Sequence, residues 1–154
     1  MTRTFLPSAT AARLAQQHEV LYTLLETRGE QDVARRPEPG KWSILENIAH
    51  LAAYQQVFTH RVRRILAEDN PAIPAYVGDN DPHFLEAREQ PVADVLADLS
   101  ADRLYLCDWI TSLDAGQLSR RATHPRYGPR SLLSWTEFFL LHEAHHLYTI
   151  WKVT

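Results

Sequence analysis

Residues 135–151 read WTEFFLLHEAHHLYTIW, and the spacing of their apolar residues is that of a helix. An α-helix turns by about 100° per residue, so residues three or four positions apart share one face. One such face carries Trp135, Phe139, His142, His146 and Ile150. An apolar stripe of this kind is typical of a helix that packs against a core. The stretch therefore predicts a long amphipathic helix whose buried face contains two histidines.

The rest of the chain divides into similar segments. Proline and glycine concentrate at residues 35–42, 70–82 and 124–130, and such clusters mark turns and loops. The segments between them repeat apolar residues every three or four positions, and no clear alternating strand pattern appears. We therefore expect an all-α fold, a four-helix bundle in which residues 1–154 form a single domain.

Local signals place the ends of the helices. Ser43 stands three residues before Glu46, which is the capping-box pattern that starts a helix. Pro91 suits the first turn of a helix, and Ser131 suits an N-cap position. We expect a first helix over residues 9–28, a second from residue 43 to about residue 68, a third from residue 91 and a fourth from residue 131.

The connections between the predicted helices differ in length. The links from the first helix to the second and from the third to the fourth are short enough for antiparallel neighbours. Residues 69–90 make a connection long enough to cross the whole bundle, and we expect a short helical turn inside it around residues 82–88. This pattern predicts that the second and third helices are parallel and that the first and fourth oppose them.

Composition limits the class of function. The chain has 154 residues, of which 23% are charged, and a net charge of −3 gives no basic field for a nucleic-acid partner. Cys107 is the only cysteine, which favours a reducing compartment. No stretch approaches the roughly 20 apolar residues that span a bilayer, and the first residues lack the apolar core of a signal peptide. We expect a cytoplasmic protein with no membrane partner.

Two histidines in one apolar stripe favour metal binding. At positions i and i+4, His142 and His146 point both rings at one spot, and an apolar interior offers few partners for two ring N–H groups. His50 lies nearly as far from the start of the second helix as His142 and His146 lie from the end of the fourth. These heights nearly coincide in antiparallel helices, so His50 is the candidate third ligand. The alternative is a bundle with hydrogen-bonded core histidines and no metal.

Arg103 and His18 fall in the same layer of the bundle. Arg103 lies between Leu99 and Leu106, where an unpaired guanidinium is costly, so we expect it to pair with a carboxylate or to meet an anionic ligand. His18 is expected to be a core histidine. The other histidines are expected to be solvated surface residues: His60, His83, His124 and His145.

Residues 142–146, HEAHH, also fit the H-E-x-x-H pattern of zinc peptidases, in which the glutamate is the general base. The longer metzincin pattern places a histidine where this chain has Lys152, and no substrate-aligning sheet is predicted. We therefore do not expect a peptidase. Glu143 is retained as a candidate catalytic acid or base, and Arg103 as a second candidate catalytic residue.

Two motifs together carry a resemblance to a known family. They are PGKWSILENIAHLAAYQ at residues 39–55 and WTEFFLLHEAHHLYTIW at residues 135–151, and with them the chain resembles the DinB-like superfamily of small bacterial four-helix proteins. The resemblance implies a bundle with a crossover, a divalent metal held by His50, His142 and His146, and often a homodimer. Relatives look like thiol transferases that use bacillithiol or mycothiol, like hydrolases or like isomerases.

These observations lead to an expected function. Three imidazoles leave coordination positions open, as in catalytic rather than structural metal sites. We expect a zinc- or nickel-dependent enzyme that acts on a small molecule by hydrolysis or by S-transfer to a low-molecular-weight thiol. The alternative is a non-catalytic metal-binding or interaction module in which the metal crosslinks two helices.

Overall fold

The computed structural model describes residues 4–154, and α-helices dominate it. The helices are α1 (Ser8–Gln16), α2 (Val20–Leu25), α3 (Glu30–Ala34), α4 (Ile44–Ala67), α5 (Pro82–Ala87), α6 (Val92–Thr111), α7 (Ala115–Leu118) and α8 (Leu132–Val153). The strands β1 (Arg121–His124) and β2 (Gly128–Ser131) stand between α7 and α8. The long segments, α1 with α2, α4, α6 and α8, form the predicted four-helix bundle.

The start of α4 confirms the predicted cap. The Ser43 hydroxyl accepts a hydrogen bond from the Glu46 backbone N–H at 3.0 Å, and the Glu46 carboxylate accepts one from the Ser43 N–H at 3.0 Å. Ser131 caps α8 with a single hydrogen bond, which its hydroxyl accepts from Ser134 N–H at 3.1 Å. The caps satisfy backbone donors that have no partner inside the helix, and so fix where each helix begins.

Contacts between helices confirm the predicted crossover. Ile44 and Ile48, near the start of α4, share a core cluster with Val95, near the start of α6. Near the ends of the same helices, Ile65 packs in a second cluster with Ile110. Helices α4 and α6 therefore run parallel.

The two outer helices oppose this pair. Tyr22, late in the first segment, contacts Ser100 in the first half of α6 at 2.8 Å between hydroxyls. On α8, Phe139 stacks against Phe58 of α4, while His146, two turns later, contacts Asn47, early in α4. The first segment and α8 therefore run antiparallel to α4 and α6, as expected.

The first helix departs from its prediction. A one-turn 3₁₀ helix, Gln17–Glu19, separates α1 from α2, and α2 ends at Leu25 instead of continuing to residue 28. His18 lies in this tighter turn, and its ring is buried against Arg103. The interruption thus coincides with the point at which a polar side chain enters the core.

The crossover carries the predicted short helix. Helix α5 begins at Pro82, one residue after Asp81, whose carboxylate accepts a hydrogen bond from His83 N–H at 2.9 Å. Phe84, on this helix, is buried against Ala49 and Ala53 of α4. The crossover is therefore anchored to the face of α4 from which His50 projects.

A small hairpin was not anticipated from the sequence. Strands β1 and β2 pair antiparallel on either side of a turn at residues 125–127, and Gly128, the first residue of β2, has a φ of 73°, a backbone conformation that favours glycine. The expectation of a solvated His124 is wrong: this side chain is buried, and its Nδ1 accepts a hydrogen bond from Arg126 N–H at 3.0 Å. Each strand has only four residues, too few for an alternating pattern to be visible.

In the part of the chain from residue 4 onward, no helix combines the length and the apolar character that crossing a bilayer requires. That finding agrees with the hydropathy of the sequence.

The cap at Ser43 gives a stability prediction. Ser43→Ala leaves the buried Glu46 N–H without its acceptor, so we expect the free energy of unfolding to fall by about 1 kcal/mol. Ser112→Ala, an exposed position at the end of α6, serves as the control and should change stability by less than about 0.5 kcal/mol. Urea unfolding followed by circular dichroism measures both. Equal stability of wild type and Ser43→Ala would contradict the assigned role of the cap.

Candidate metal centre

Antiparallel packing of α4 against α8 brings three imidazoles together. The Nε2 atoms of His50 and His142 are 3.0 Å apart, and the ring centroid of His146 lies 4.5 Å from that of His50 and 4.7 Å from that of His142. One nitrogen from each ring lies within 4.8 Å of the others. The predicted meeting of these three side chains is therefore what the structure contains.

Burial keeps these rings neutral. It lowers the pKa of His50 to about 4, and it is also the main cause that lowers the pKa values of His142 and His146 to about 3. Repulsion by His50 lowers the pKa values of His142 and His146 further. Near pH 7 all three imidazoles thus carry a free lone pair, which is the form that binds metal ions.

Asn47 orients one of the rings. Its side-chain nitrogen donates to the Ser43 carbonyl at 2.9 Å, so its oxygen faces His146. That oxygen lies 2.9 Å from His146 Nδ1, which must then carry the proton and donate it. The lone pair of His146 is on Nε2 as a result, on the side of the other two histidines. An outer hydrogen bond of this kind accompanies almost every metal-binding histidine.

The donor set fits a divalent cation. Two nitrogens that bind one ion at about 2.1 Å each stand roughly 3.0 to 3.4 Å apart, and the observed Nε2 separation of His50 and His142 lies in that range. Their Nδ1 atoms are buried without a hydrogen-bond partner among the described residues, and the Nε2 contact between the two rings is the hydrogen-bond contact recorded for either of them. Neutral imidazoles suit zinc, copper, iron and nickel.

Aromatic rings and one glycine enclose the imidazoles. Trp42 lies 5.2 Å from His50 and Tyr54 lies 4.3 Å from His142, centroid to centroid. The crossover approaches so closely that a Cβ atom at Gly78 would stand 2.7 Å from His50 Nδ1. Sequence reasoning missed Asn47, Trp42, Tyr54 and Gly78, because their role depends on contacts between segments and not on a repeating pattern.

Arg103 and Glu143 form a buried ion pair with each other. Both side chains are almost fully buried, and Glu143 also accepts a hydrogen bond from Gln17 at 3.1 Å. Arg103 donates further to Gln55 Oε1 at 2.7 Å and to the Leu14 carbonyl at 3.2 Å. The expected pairing of Arg103 with a carboxylate is confirmed.

This pairing gives both residues a structural role, and their candidacy as catalytic residues stays a prediction. Each carboxylate oxygen of Glu143 already accepts a hydrogen bond, and none of its partners is one of the three imidazoles. The geometry of the H-E-x-x-H peptidases, with the glutamate free to act as a base beside the metal, is therefore not found here. The two side chains hold helices together instead.

His18 is a core histidine, as expected. Its Nδ1 lies 3.3 Å from an Arg103 side-chain nitrogen and accepts from it, which requires a neutral ring. Burial, with the charge of Arg103 as a smaller cause, lowers the pKa of His18 to about 4.

Comparisons with known proteins match the chain to a family model and to solved structures. The family model of the DinB superfamily matches residues 13–150. A search of curated proteins found no match. Among solved structures, the chain is similar to YfiT from Bacillus subtilis, described as a probable metal-dependent hydrolase with an unusual four-helix bundle topology. The identity is 19% and the TM-score is 0.83, with 94% of this chain and 83% of that chain covered. At this identity the likeness establishes the fold.

The outer hydrogen bond to His146 gives a prediction on metal affinity. Asn47→Ala frees the ring to rotate and lowers the basicity of Nε2, so we expect zinc affinity to fall by roughly 10- to 100-fold. Competition with a chromogenic chelator measures the affinity. Gln56→Ala, an exposed position on the same helix, is the control and should bind zinc like the wild type. Unchanged affinity in Asn47→Ala would show that this contact does not orient a ligand.

The buried His18 gives a prediction on pH. An unfolded histidine titrates near about 6.5, while the pKa of folded His18 is about 4. Between these values the unfolded chain binds more protons, so the free energy of unfolding falls as the pH falls from 6.5 toward 4. His18→Gln removes this contribution and should shrink the difference between urea midpoints at pH 7 and pH 4.5. His60→Gln, at an exposed position, should keep the wild-type difference, and the same behaviour in His18→Gln would refute the assignment.

Proposed function

The chain belongs to the DinB superfamily, and we propose that it is a divalent-metal-dependent hydrolase of a small molecule. The resemblance based on residues 39–55 and 135–151 is thereby confirmed as one of family. The observation that carries the proposal is the convergence of three neutral imidazoles, His50, His142 and His146, at one spot. The description of YfiT as a probable metal-dependent hydrolase supports it.

The number of ligands favours catalysis. Structural zinc sites are closed by four protein ligands, whereas catalytic sites use three and leave a position open. In the described residues, the group that could hold a metal contains only these three side chains. Zinc and nickel are the proposed ions, since imidazole suits both. A divalent cation at this place supplies Lewis-acid polarisation and a nucleophile at neutral pH.

The residues around the imidazoles have separate tasks in this proposal. Asn47 holds His146 in one orientation. Trp42 and Phe84, stacked at 4.9 Å between centroids, cover one side of the site and exclude water there. His142 lines an open cavity of about 240 Å³ on another side, together with Tyr54 and Tyr76, and this cavity is the proposed place for the substrate.

Metal loading and activity test the proposal together. We expect about one zinc or nickel ion per chain in the wild type and none in His142→Ala, because two imidazoles hold such an ion poorly. Hydrolysis of a panel of p-nitrophenyl esters should fall by more than about 100-fold in His142→Ala, beyond the effect of losing an outer hydrogen bond. Elemental analysis and absorbance at neutral pH give the two readings.

His60→Ala is the matched control. His60 is an exposed histidine on α4, the helix that carries His50, and it does not line the cavity, so its loss removes an imidazole from the chain away from the site. It should keep both metal and activity. Equal metal content in wild type and His142→Ala would refute the proposed ligand set.

Two further arms separate the other expected reactions. Turnover of 1-chloro-2,4-dinitrobenzene that needs an added low-molecular-weight thiol, without ester hydrolysis, would replace the hydrolase by a thiol transferase. Bound metal with no turnover in either assay, and a large fall in melting temperature after chelation, would mark a non-catalytic metal-binding module.

A further inference from the structure

Two arginines are buried among the described residues, and they differ in their partners. Arg103 forms an ion pair with Glu143. Arg61, on α4, is only 6% exposed, yet no carboxylate of the described residues pairs with it. A buried guanidinium without a counter-charge is costly, so its position needs an explanation.

Backbone and hydroxyl oxygens hold the Arg61 side chain in place. One terminal nitrogen donates to the Pro74 carbonyl in the crossover at 2.8 Å, and the other donates to the Tyr54 hydroxyl at 3.4 Å. Both acceptors are neutral. The fork of the guanidinium is thus fixed in direction, while its charge is not neutralised by the protein.

Arg61 lines the same cavity as His142. This cavity of about 240 Å³ has aromatic walls, Tyr54, Tyr76 and Phe138 among them, and exposed Arg126 adds a second positive charge. None of its lining residues is acidic. We call it the Arg61 cavity. Its potential is therefore positive at the guanidinium, and the imidazole cluster borders it at His142.

Tyr54 indicates the distance between the Arg61 guanidinium and the imidazole cluster. Its ring lies 4.3 Å from the ring of His142 and its hydroxyl contacts Arg61, so a single tyrosine side chain spans the gap. A small planar molecule of similar length can therefore reach both the guanidinium and the imidazoles.

From this arrangement we propose that Arg61 is a substrate-binding residue, which anchors the anionic end, a carboxylate or a phosphate, of a small molecule with an apolar or aromatic body. The body lies along Tyr54 and Phe138 and brings the bond that reacts to the three imidazoles. Charge-assisted hydrogen bonds from a fixed guanidinium to such an anion are among the strongest that proteins make. The placement of the reacting bond at the imidazoles rests on the proposed function, whereas the binding of an anion at Arg61 does not.

Binding of matched probes tests the inference. Benzoate and phenyl phosphate carry the anion on an aromatic ring, and benzamide has the shape of benzoate without the charge. Isothermal titration calorimetry on the protein as purified, and again after chelation of metal, gives their dissociation constants. We expect one of the two anions to bind at least about tenfold more tightly than benzamide, because a hydrogen bond to a charged group outweighs a neutral one. The better anion identifies the substrate class.

Variants assign the preference to Arg61. Arg61→Gln should weaken the favoured anion by about tenfold or more and leave benzamide unchanged. Arg64→Gln is the matched control, since Arg64 lies on the same helix and also donates to a crossover carbonyl, Ala72, at 2.9 Å, but does not line the Arg61 cavity. Arg61→Lys keeps the charge and should keep part of the preference, which gives a second reading if Arg61→Gln does not fold.

The outcomes separate this inference from the proposed function. Equal binding of anions and benzamide by the wild type, or an unchanged preference in Arg61→Gln, would overturn the anion site even if the protein binds metal and hydrolyses esters. An anion preference that depends on Arg61 in a protein that binds no metal would leave the anion site standing and remove the hydrolase.

Discussion

The buried ion pair between Arg103 and Glu143 fixes how the long helices are rotated toward one another. Removing one partner of such a pair leaves an uncompensated charge and costs about 3 to 5 kcal/mol, so the four helices that meet at it cannot rotate freely. Glu143 is next to His142 on α8, and successive residues point about 100° apart. When Glu143 faces Arg103, His142 and His146 must face α4. Gln55 extends the constraint to α4, because it accepts from Arg103 and donates to the Leu99 carbonyl.

Local and periodic patterns account for the features that could be predicted from the sequence. The cap at Ser43, the spacing of His142 and His146, and the long crossover are local or periodic signals, and each predicted its part of the structure. That His50 lies level with His142 and His146 followed from the rise per residue of an α-helix, once the second and fourth helices were assumed to be antiparallel. Four further expectations stay predictions: that the chain is a single domain, that it forms a homodimer, that it uses a thiol and that it is cytoplasmic.

The features that were missed depend on contacts between segments. Gly78 matters because the crossover passes directly over His50, and Asn47 matters because of the ring opposite it. Arg61 is the informative case. It stands three residues after Phe58 and four before Ile65, both buried, which is the same signal that drew attention to Arg103 between Leu99 and Leu106. The signal was present in the sequence. Only the structure shows that Arg103 pairs with a carboxylate, whereas Arg61 lines a cavity.

Electrostatics connect the two sites. Neutral imidazoles, unlike carboxylate ligands, add no charge that would offset that of a divalent cation. Asp79 and Asp81 of the crossover act on His50, and no acidic residue lines the adjacent cavity. Arg61 and Arg126 add positive charge on the same side. In the proposed function, such a site would attract an anionic substrate and would stabilise negative charge that develops on a reacting oxygen. The low pKa values of the histidines serve the same end, because neutral rings can accept a metal ion where protonated rings would repel it. The two tasks are thus divided: neutral rings accept the metal ion, and the fixed, unpaired guanidinium attracts an anionic small molecule, whose negative charge offsets the repulsion between Arg61 and the metal ion.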